Sequence, residues 1–187
     1  AFHWVFFYGS IKASNVSIGV VCFSLTGFFT AALAPLVDRK RFSVRELIFS
    51  LLTVAGVLLI FQLDVRYRTG ILLGIVSSAL CALFTLVNQR IGANRPSGLL
   101  LAYEMAGGFA GLGCVLPFYL HYFPAAAFWP SAADLGYLLV LSSVCTIGVY
   151  LLQIQVLKVI SAFTVSLSYN LEPIYSILLA MLLFGEA

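Results

Sequence analysis

Long apolar runs separated by short polar connections are the feature that most restricts what this chain can fold into. A helix needs about 20 apolar residues to cross the hydrocarbon core of a bilayer. After the end of a further helix at 1–11, runs of that length predict membrane spans at 16–37, 44–63, 70–88, 98–120, 135–157 and 163–184. Because backbone polar groups in lipid must be paired within the segment, each run is predicted to be helical. The predicted fold class is an all-α, polytopic membrane protein.

The overall composition agrees with a membrane protein and excludes several other classes. Hydrophobic residues make up 62% of the chain and charged residues 9%, with a mean hydropathy of +1.07, whereas about a quarter of the residues in a soluble protein are charged. Lys and Arg form no long run, so we expect no binding of nucleic acid. The four cysteines lie inside apolar runs without metal-ligand spacing, which predicts buried thiols, no metal and no cofactor.

The distribution of Lys and Arg predicts which connections face the cytoplasm. Seven of the ten basic residues fall in three connections on one side of the membrane: Arg39, Lys40, Arg41 and Arg45, then Arg90 and Arg95, then Lys158. By the positive-inside rule these connections are cytoplasmic. The aromatic loop 121–134 then lies outside, where a belt of rings at the membrane interface is the ordinary interpretation and a gate over a pathway is the alternative.

The last predicted span carries polar groups that cannot face lipid. Thr164, Ser168, Glu172, Tyr175 and Ser176 cluster on one side of the helix, and Ser166 and Asn170 lie near the other. Each polar atom without a partner in hydrocarbon costs several kcal/mol, so other helices must cover this segment. Because a single solvent-facing side of the helix cannot accommodate both sets of polar side chains, we expect either that other helices pack on both sides of this segment or that the helix is broken.

A similar pattern occurs 146 residues earlier in the chain. Aligning Ile11 with Leu157 places Lys12 on Lys158, Leu25 on Leu171, Thr26 on Glu172, Gly27 on Pro173 and Thr30 on Ser176. The chain is therefore predicted to contain two copies of one unit.

Gly27 and Pro173 are matched weak points in the two copies. Proline has no amide hydrogen and its ring clashes with the carbonyl four residues back, here that of Tyr169, while glycine weakens a helix interior. Matched weak points in two repeats indicate the binding site of a transporter. The candidates for a substrate or proton pathway are therefore Thr26, Gly27, Ser168, Tyr169, Asn170, Glu172 and Pro173.

Glu104 is a further candidate for that pathway. It shares one helix face with Gly107, Gly108 and Gly111, at spacings i, i+3, i+4 and i+7. Small residues mark the side on which one membrane helix meets another, so Glu104 is expected to point into protein. An acid in that place is a functional candidate, and a protonated Glu that only holds the packing is the alternative.

Three weaker signals lie on other helices. A stripe of small residues predicts close helix packing in the span 70–88, at Gly70, Gly74, Ser78 and Ala82. Asn88 is interpreted as a solvated helix end. Gln153 is either a pathway amide or a polar group at the membrane interface.

Two stretches of the chain share the pattern of a known family. In the first, Tyr8, Ser10, Lys12 and Asn15 lead into VSIGVVCFSLTGFFTAALAPLV, a short charged turn and RELIFSLLTVAGVLLIF. The second is LKVISAFTVSLSYNLEPIYSILLAMLLFGEA, with Asn170, Leu171, Glu172 and Pro173 inside the span and Gly185 and Glu186 after it. Both resemble the later part of an EamA repeat of the drug/metabolite transporter superfamily.

The resemblance implies ten spans in two inverted five-helix repeats around a central cavity, with both termini in the cytoplasm. On that scheme the chain begins late in the third span and stops after the ninth. Residues 1–63 are then the C-terminal part of the first repeat, and residues 70–187 are the second repeat without its last helix. Gly27 stands where the family has proline, and Lys40 stands where the family has an acidic residue. The turn around Lys40 is therefore expected to set the orientation of the chain in the membrane and not to share a coupling role.

The resemblance also implies a function. It predicts a secondary carrier of the bacterial inner membrane that moves a small metabolite or drug by alternating access, with the lipid bilayer and a small-molecule substrate as its partners. Glu172 and Glu104 are the groups expected to bind a cation or carry a proton. A membrane scaffold or sensor would share these features and is the alternative. An intramembrane enzyme is not expected, because His3 and His121, the histidines of the chain, have no partner at catalytic or metal-ligand spacing. Substrate, direction and oligomeric state stay open.

Overall fold

The computed structural model describes residues 2–38, 43–61, 67–122, 130–172, 174, 175 and 182. All regular structure in these residues is helical. The α-helices are α1 (Phe2–Ala13), α2 (Val16–Phe23), α3 (Thr26–Asp38), α4 (Val44–Phe61), α5 (Arg68–Gly92), α6 (Ser97–Tyr122), α7 (Ala132–Val140), α8 (Val149–Val156) and α9 (Ala162–Ser168). A π-helix (Leu141–Gly148) joins α7 to α8, and a 3₁₀ turn (Tyr169–Leu171) follows α9.

Four helical segments are long and apolar enough to cross a membrane: Val16–Val37, Arg68–Gly92, Ser97–His121 and Ala132–Val156. They agree with four of the predicted spans, and α4 covers most of a fifth. Most of the second half of the predicted span 163–184 lies outside the described residues, as do Pro173 and residues 123–129 of the aromatic loop. The chain is therefore an all-α, polytopic membrane protein, as its apolar runs predict.

Residue contacts divide the chain into two compact units. The larger unit comprises Phe2–Arg90 and Ile160–Ala187, and the smaller unit comprises Ile91–Val159. The larger unit thus contains both predicted copies of the repeated segment, on α2–α3 and on α9 with its 3₁₀ turn.

In the larger unit, the small-residue stripe of α5 packs against α1 and α2. A Cβ atom added to Gly70 would lie 2.5 Å from the Cβ of Ser14, and one added to Gly74 would lie 2.5 Å from the Cβ of Cys22. The Ser78 hydroxyl, one turn further along, donates to the Cys22 carbonyl over 2.7 Å. Glycine at these positions lets two helix backbones approach closely where lipid gives no hydrophobic drive for association. The packing role predicted for the stripe is confirmed.

Hydroxyl groups add bonds between the same helices. The Ser10 hydroxyl on α1 donates to the Gly70 carbonyl over 2.7 Å, and the Ser77 hydroxyl on α5 donates to the His3 carbonyl over 2.8 Å. Both hydroxyls are fully buried. Hydrogen bonds between membrane helices contribute about 0.6 kcal/mol each on average, so their main effect is to fix the register of α1 on α5.

Gly74→Ala is expected to lower the stability of the larger unit by about 1–3 kcal/mol, because the new methyl group would overlap a Cβ held by the α2 backbone. Gly107→Ala on α6 is the matched control, since a Cβ there would have no atom of the described residues within 4 Å. Thermal unfolding of the detergent-solubilised protein measures the difference. Equal midpoints for Gly74→Ala and the unmodified protein would contradict the proposed close packing.

In the smaller unit, α6 packs on α8. A Cβ added to Gly92 would lie 3.2 Å from Leu100 and 3.9 Å from Ile154, so the end of α5 fits between these two side chains. The Lys158 ammonium group donates to the Arg95 carbonyl over 2.8 Å and ties the end of α8 to the start of α6.

The π-helix of the smaller unit has wider backbone turns than its neighbours. The Thr146 hydroxyl follows this geometry, because it donates to the carbonyl of Leu141, five residues earlier, over 2.9 Å. Before the π-helix, Ser131 and Asp134 form a reciprocal capping box at the start of α7.

Candidate functional site

The two copies of the repeated segment begin with the same helix cap. Asn15 and Ser161 stand 146 residues apart, and each has an extended backbone. The Asn15 Oδ1 accepts from the amide of Ile18 over 2.8 Å, and the Ser161 hydroxyl accepts from the amide of Thr164 over 3.2 Å. Since the capped amides also stand 146 residues apart, α2 and α9 begin at equivalent positions.

Both copies then leave the α-helix at equivalent positions. In the first copy, α2 ends at Phe23 and a short turn at 24–25 separates it from α3. In the second copy, the 3₁₀ turn Tyr169–Leu171 follows α9. Adding 146 to 24–25 gives 170–171, which lies inside that turn. The two breaks come just before Gly27 and Pro173, the weak points that the sequence singles out.

At each break a backbone carbonyl accepts a hydrogen bond from the residue three positions later, and both the two carbonyls and the two donor residues stand 146 positions apart. In the first copy the Thr26 hydroxyl donates to the Phe23 carbonyl over 2.6 Å. In the second copy the Glu172 amide donates to the Tyr169 carbonyl. A proline at 173 offers this carbonyl no amide, so the tighter i−3 bond of a 3₁₀ turn takes the place of an α-helical bond. The sequence identifies the Tyr169 carbonyl as the freed group, and the structure supplies its new donor.

The two copies contact each other at these breaks. Three contacts follow one another along the two segments. The Phe23 ring packs against the Tyr169 ring, Gly27 lies close to the backbone of Leu167, and the Thr30 hydroxyl hydrogen-bonds to the Ser166 hydroxyl. The ring centroids are 5.6 Å apart, and the two hydroxyl oxygens are 2.8 Å apart and buried. As the residue numbers rise in the first copy they fall in the second. The segments therefore cross antiparallel, and we call this contact the crossing.

Phe23 and Tyr169 are themselves equivalent residues, because they stand 146 positions apart. In a two-fold arrangement a residue contacts its own equivalent only where the symmetry axis passes. A two-fold axis that relates the predicted copies would pass through a contact of this kind. This is the arrangement expected of inverted repeats, whose axis lies in the plane of the membrane.

The polar groups of the last segment are covered by neighbours on different sides. Ser166 bonds to Thr30 on α3, and the Asn170 amide nitrogen donates to the Thr53 hydroxyl on α4 over 3.1 Å. The Asn170 Oδ1 is buried and accepts no hydrogen bond from the described residues. Of the two solutions that the sequence leaves open for this segment, neighbours on both sides or a broken helix, the structure uses both.

Glu172 follows the 3₁₀ turn and is partly buried. In the part of the chain that the structure describes, no side chain forms an ion pair or hydrogen bond with the Glu172 carboxyl group. Three residues beyond Tyr169, the chain thus carries an acid that no described residue pairs.

The remaining candidates divide between the two units. Ser168 is exposed, and its hydroxyl donates to the Val165 carbonyl of its own helix over 2.7 Å. Glu104 and Gln153 are partly buried on α6 and α8 of the smaller unit. Gly107, on the glycine face of α6, is exposed and has no described atom within 4 Å of an added Cβ, so the expected helix contact is not seen at that glycine.

Sequence reasoning missed several residues of the crossing and misjudged one residue on α5. The sequence alignment pairs Thr30 with Ser176, but in the structure the Thr30 hydroxyl contacts that of Ser166. This contact depends on how the two copies pack, which no local sequence pattern specifies. Thr53 lies in an apolar helix with no signal of its own. The solvated helix end expected at Asn88 is wrong, because α5 continues to Gly92 and Asn88 is only 4% exposed.

Broken membrane helices that cross antiparallel are typical of membrane proteins built from inverted repeats. Residues 68–187 match the EamA-like transporter family. The chain belongs to this family, whose members are transporters of the drug/metabolite transporter superfamily and not enzymes. Comparison with curated proteins and comparison with solved structures each gave no match. The family resemblance seen in the sequence is confirmed.

Proposed function

We propose that this protein is a secondary carrier that moves a small metabolite or drug across the plasma membrane, the inner membrane of a bacterium, by alternating access. The substrate site lies at the crossing of the two copies. The observation that supports this location is the contact between the equivalent rings of Phe23 and Tyr169. Substrate sites of inverted-repeat carriers lie near the midplane, between repeats and beside unwound helix segments.

The crossing has the properties that alternating access requires. Its two segments have equivalent caps and equivalent breaks, so a conformation that one copy adopts is available to the other. Exchange of conformations between the copies would open the site first to one side of the membrane and then to the other. The breaks supply the bending points, because a 3₁₀ turn and a short non-helical turn resist a change of direction less than an intact α-helix.

Glu172, three residues after Tyr169 of the crossing, is the residue that we expect to couple transport to protons. An acid inside a membrane protein exchanges between a charged form that needs a partner and a neutral form that does not. Binding and release of one proton at Glu172 can therefore accompany each transport cycle. Glu104 on α6 is the second candidate for this role.

Glu172→Gln is expected to reduce proton-driven uptake by about tenfold or more, because the amide cannot exchange a proton. The measurement uses the full-length protein in proteoliposomes with an imposed pH gradient, a trapped pH-sensitive dye and a panel of small metabolites and drugs. Glu104→Gln tests the second acid, and Glu46→Gln at the start of α4 is the matched control.

Unchanged uptake in both Glu172→Gln and Glu104→Gln would exclude proton coupling through these acids. If no compound of the panel is moved by the unmodified protein, the scaffold or sensor hypothesis gains support over the carrier.

A further inference from the structure

We propose that Gln89 and Arg90, near the C-terminal end of α5, form a latch that holds the two copies together on one side of the crossing and has to open before substrate passes on that side. The distribution of basic residues predicts this side to be cytoplasmic. The need for opening rests on the proposed carrier function, whereas the latch itself rests on contacts between described residues.

Two neighbouring side chains of α5 reach both copies. The Arg90 guanidinium group donates to the carbonyl of Val37, in the last turn of α3. The Gln89 Nε2 donates over 3.0 Å to the carbonyl of Ile160, directly before the Ser161 cap of α9. The last carbonyls of a helix have no amide of their own helix to bond, and a cation there also opposes the negative end of the helix dipole. The end of α5 therefore ties the end of the first copy to the start of the second.

The latch continues the antiparallel order of the crossing. From the contact between the rings, the order runs through Gly27 to the hydrogen bond between Thr30 and Ser166. Val37 stands seven residues after Thr30, and Ile160 stands six residues before Ser166. Helical rise then places the latch about 10 Å further along the same two segments. The copies are thus joined directly at the crossing and through α5 at the latch.

Polar side chains lie inside the bundle next to the latch. Thr30, Thr85 and Ser166, on the three helices that the latch joins, are fully buried. Asn88 precedes the latch directly, is only 4% exposed, and its Nδ2 bonds to no described residue. When helices separate, water can solvate hydroxyl and amide groups, whereas buried leucine side chains would lose their favourable burial. Opening on this side therefore exposes groups that tolerate water, and the latch supplies a specific contact that keeps the helices together.

Labelling of a buried thiol measures opening of the latch without requiring transport. Ser166→Cys places the thiol between the crossing and the latch, in a full-length protein without other cysteines. A charged, membrane-impermeant methanethiosulfonate is applied to vesicles of each orientation. We expect the double variant Gln89→Ala with Arg90→Ala to be labelled about tenfold faster or more from the cytoplasmic face, because two hydrogen bonds that favour the closed form are lost.

Two controls separate the latch from general loosening of the bundle. Arg90→Lys keeps a cationic donor, so we expect its labelling rate to stay near that of the unmodified latch. Arg68→Gln removes an exposed charge at the opposite end of the same helix and is expected to leave the rate unchanged.

A reversible cross-link tests the latch in the opposite direction. Val37→Cys and Arg90→Cys are joined by a short bifunctional methanethiosulfonate in the same cysteine-free background. Because the link holds this side closed, we expect it to reduce flux about tenfold or more, and we expect a reducing agent to restore the flux. This measurement decides the question if the double variant with alanine does not fold.

The outcomes distinguish the latch from the carrier function. Unchanged labelling in the double variant, equal acceleration by Arg68→Gln, failure of the two cysteines to link, or full flux through the linked protein would each overturn the latch. Flux of a compound by a protein whose labelling does not respond to the latch variants would leave the carrier intact. Faster labelling of the double variant without flux of any compound would support the latch and count against the carrier.

Discussion

Gly27→Leu is expected to abolish transport, whereas Gly27→Ala is expected to retain it. A Cβ at this position would lie 3.9 Å from the backbone of Leu167, which is ordinary van der Waals contact. A leucine side chain would have to enter the space that α9 occupies, and overpacking of this kind costs about 1–3 kcal/mol or forces the helices apart. Because the contact lies at the crossing, separation of the helices would remove the geometry on which transport depends.

Flux into proteoliposomes, divided by the amount of folded protein from size-exclusion chromatography, measures the effect of the Gly27 variants. Gly136→Leu on α7 is the matched control, since a Cβ there has no described atom within 4 Å. Wild-type flux in Gly27→Leu would show that α3 and α9 do not have to approach closely at this point.

Pro173→Ala is expected to stabilise the protein and to reduce transport by about tenfold or more. Alanine restores the amide that an α-helix would direct at the Tyr169 carbonyl, now bonded to the Glu172 amide. Proline in a helix interior costs about 3 kcal/mol relative to alanine, so its removal favours a continuous helix. A continuous helix would stiffen the bending point.

Pro117→Ala is the control for this variant, because Pro117 lies inside α6 and outside the crossing. We expect it to raise the unfolding midpoint without changing flux. Thermal unfolding and flux are measured on the same preparations. A Pro173→Ala protein that is more stable and fully active would show that the break in the second copy is not required for transport.

Much of the helical architecture could be predicted from the sequence, because membrane spans follow from length and hydropathy alone. The stripe of Gly70 and Gly74 could also be predicted, since small residues spaced four apart mark one face of a helix. The weak points at Gly27 and Pro173 located both breaks to within a few residues. Local chemistry was sufficient for each of these features.

Contacts between distant segments could not be predicted in the same way. The bond between Thr30 and Ser166 joins residues 136 positions apart, and that between Thr53 and Asn170 joins residues 117 apart. These pairs depend on the register and direction in which two helices pack, which hydropathy does not specify. The equivalence of Phe23 and Tyr169 was implicit in the alignment of the copies, but only the structure shows that the two rings contact each other.

The central claim is that the two copies cross at Phe23 and Tyr169, and cross-linking tests it most directly. Phe23→Cys and Tyr169→Cys are combined in a full-length protein whose native cysteines, Cys22, Cys81, Cys114 and Cys145 among them, are replaced by alanine. A short bifunctional methanethiosulfonate is then added in the membrane. Val16→Cys with Tyr169→Cys is the control, because seven residues of helix place Val16 about 10 Å along α2 from the crossing. Mass spectrometry of the digested protein is expected to find the linked peptides for the first pair and not for the second. Absence of the first link, or equal linking of both pairs, would contradict the crossing.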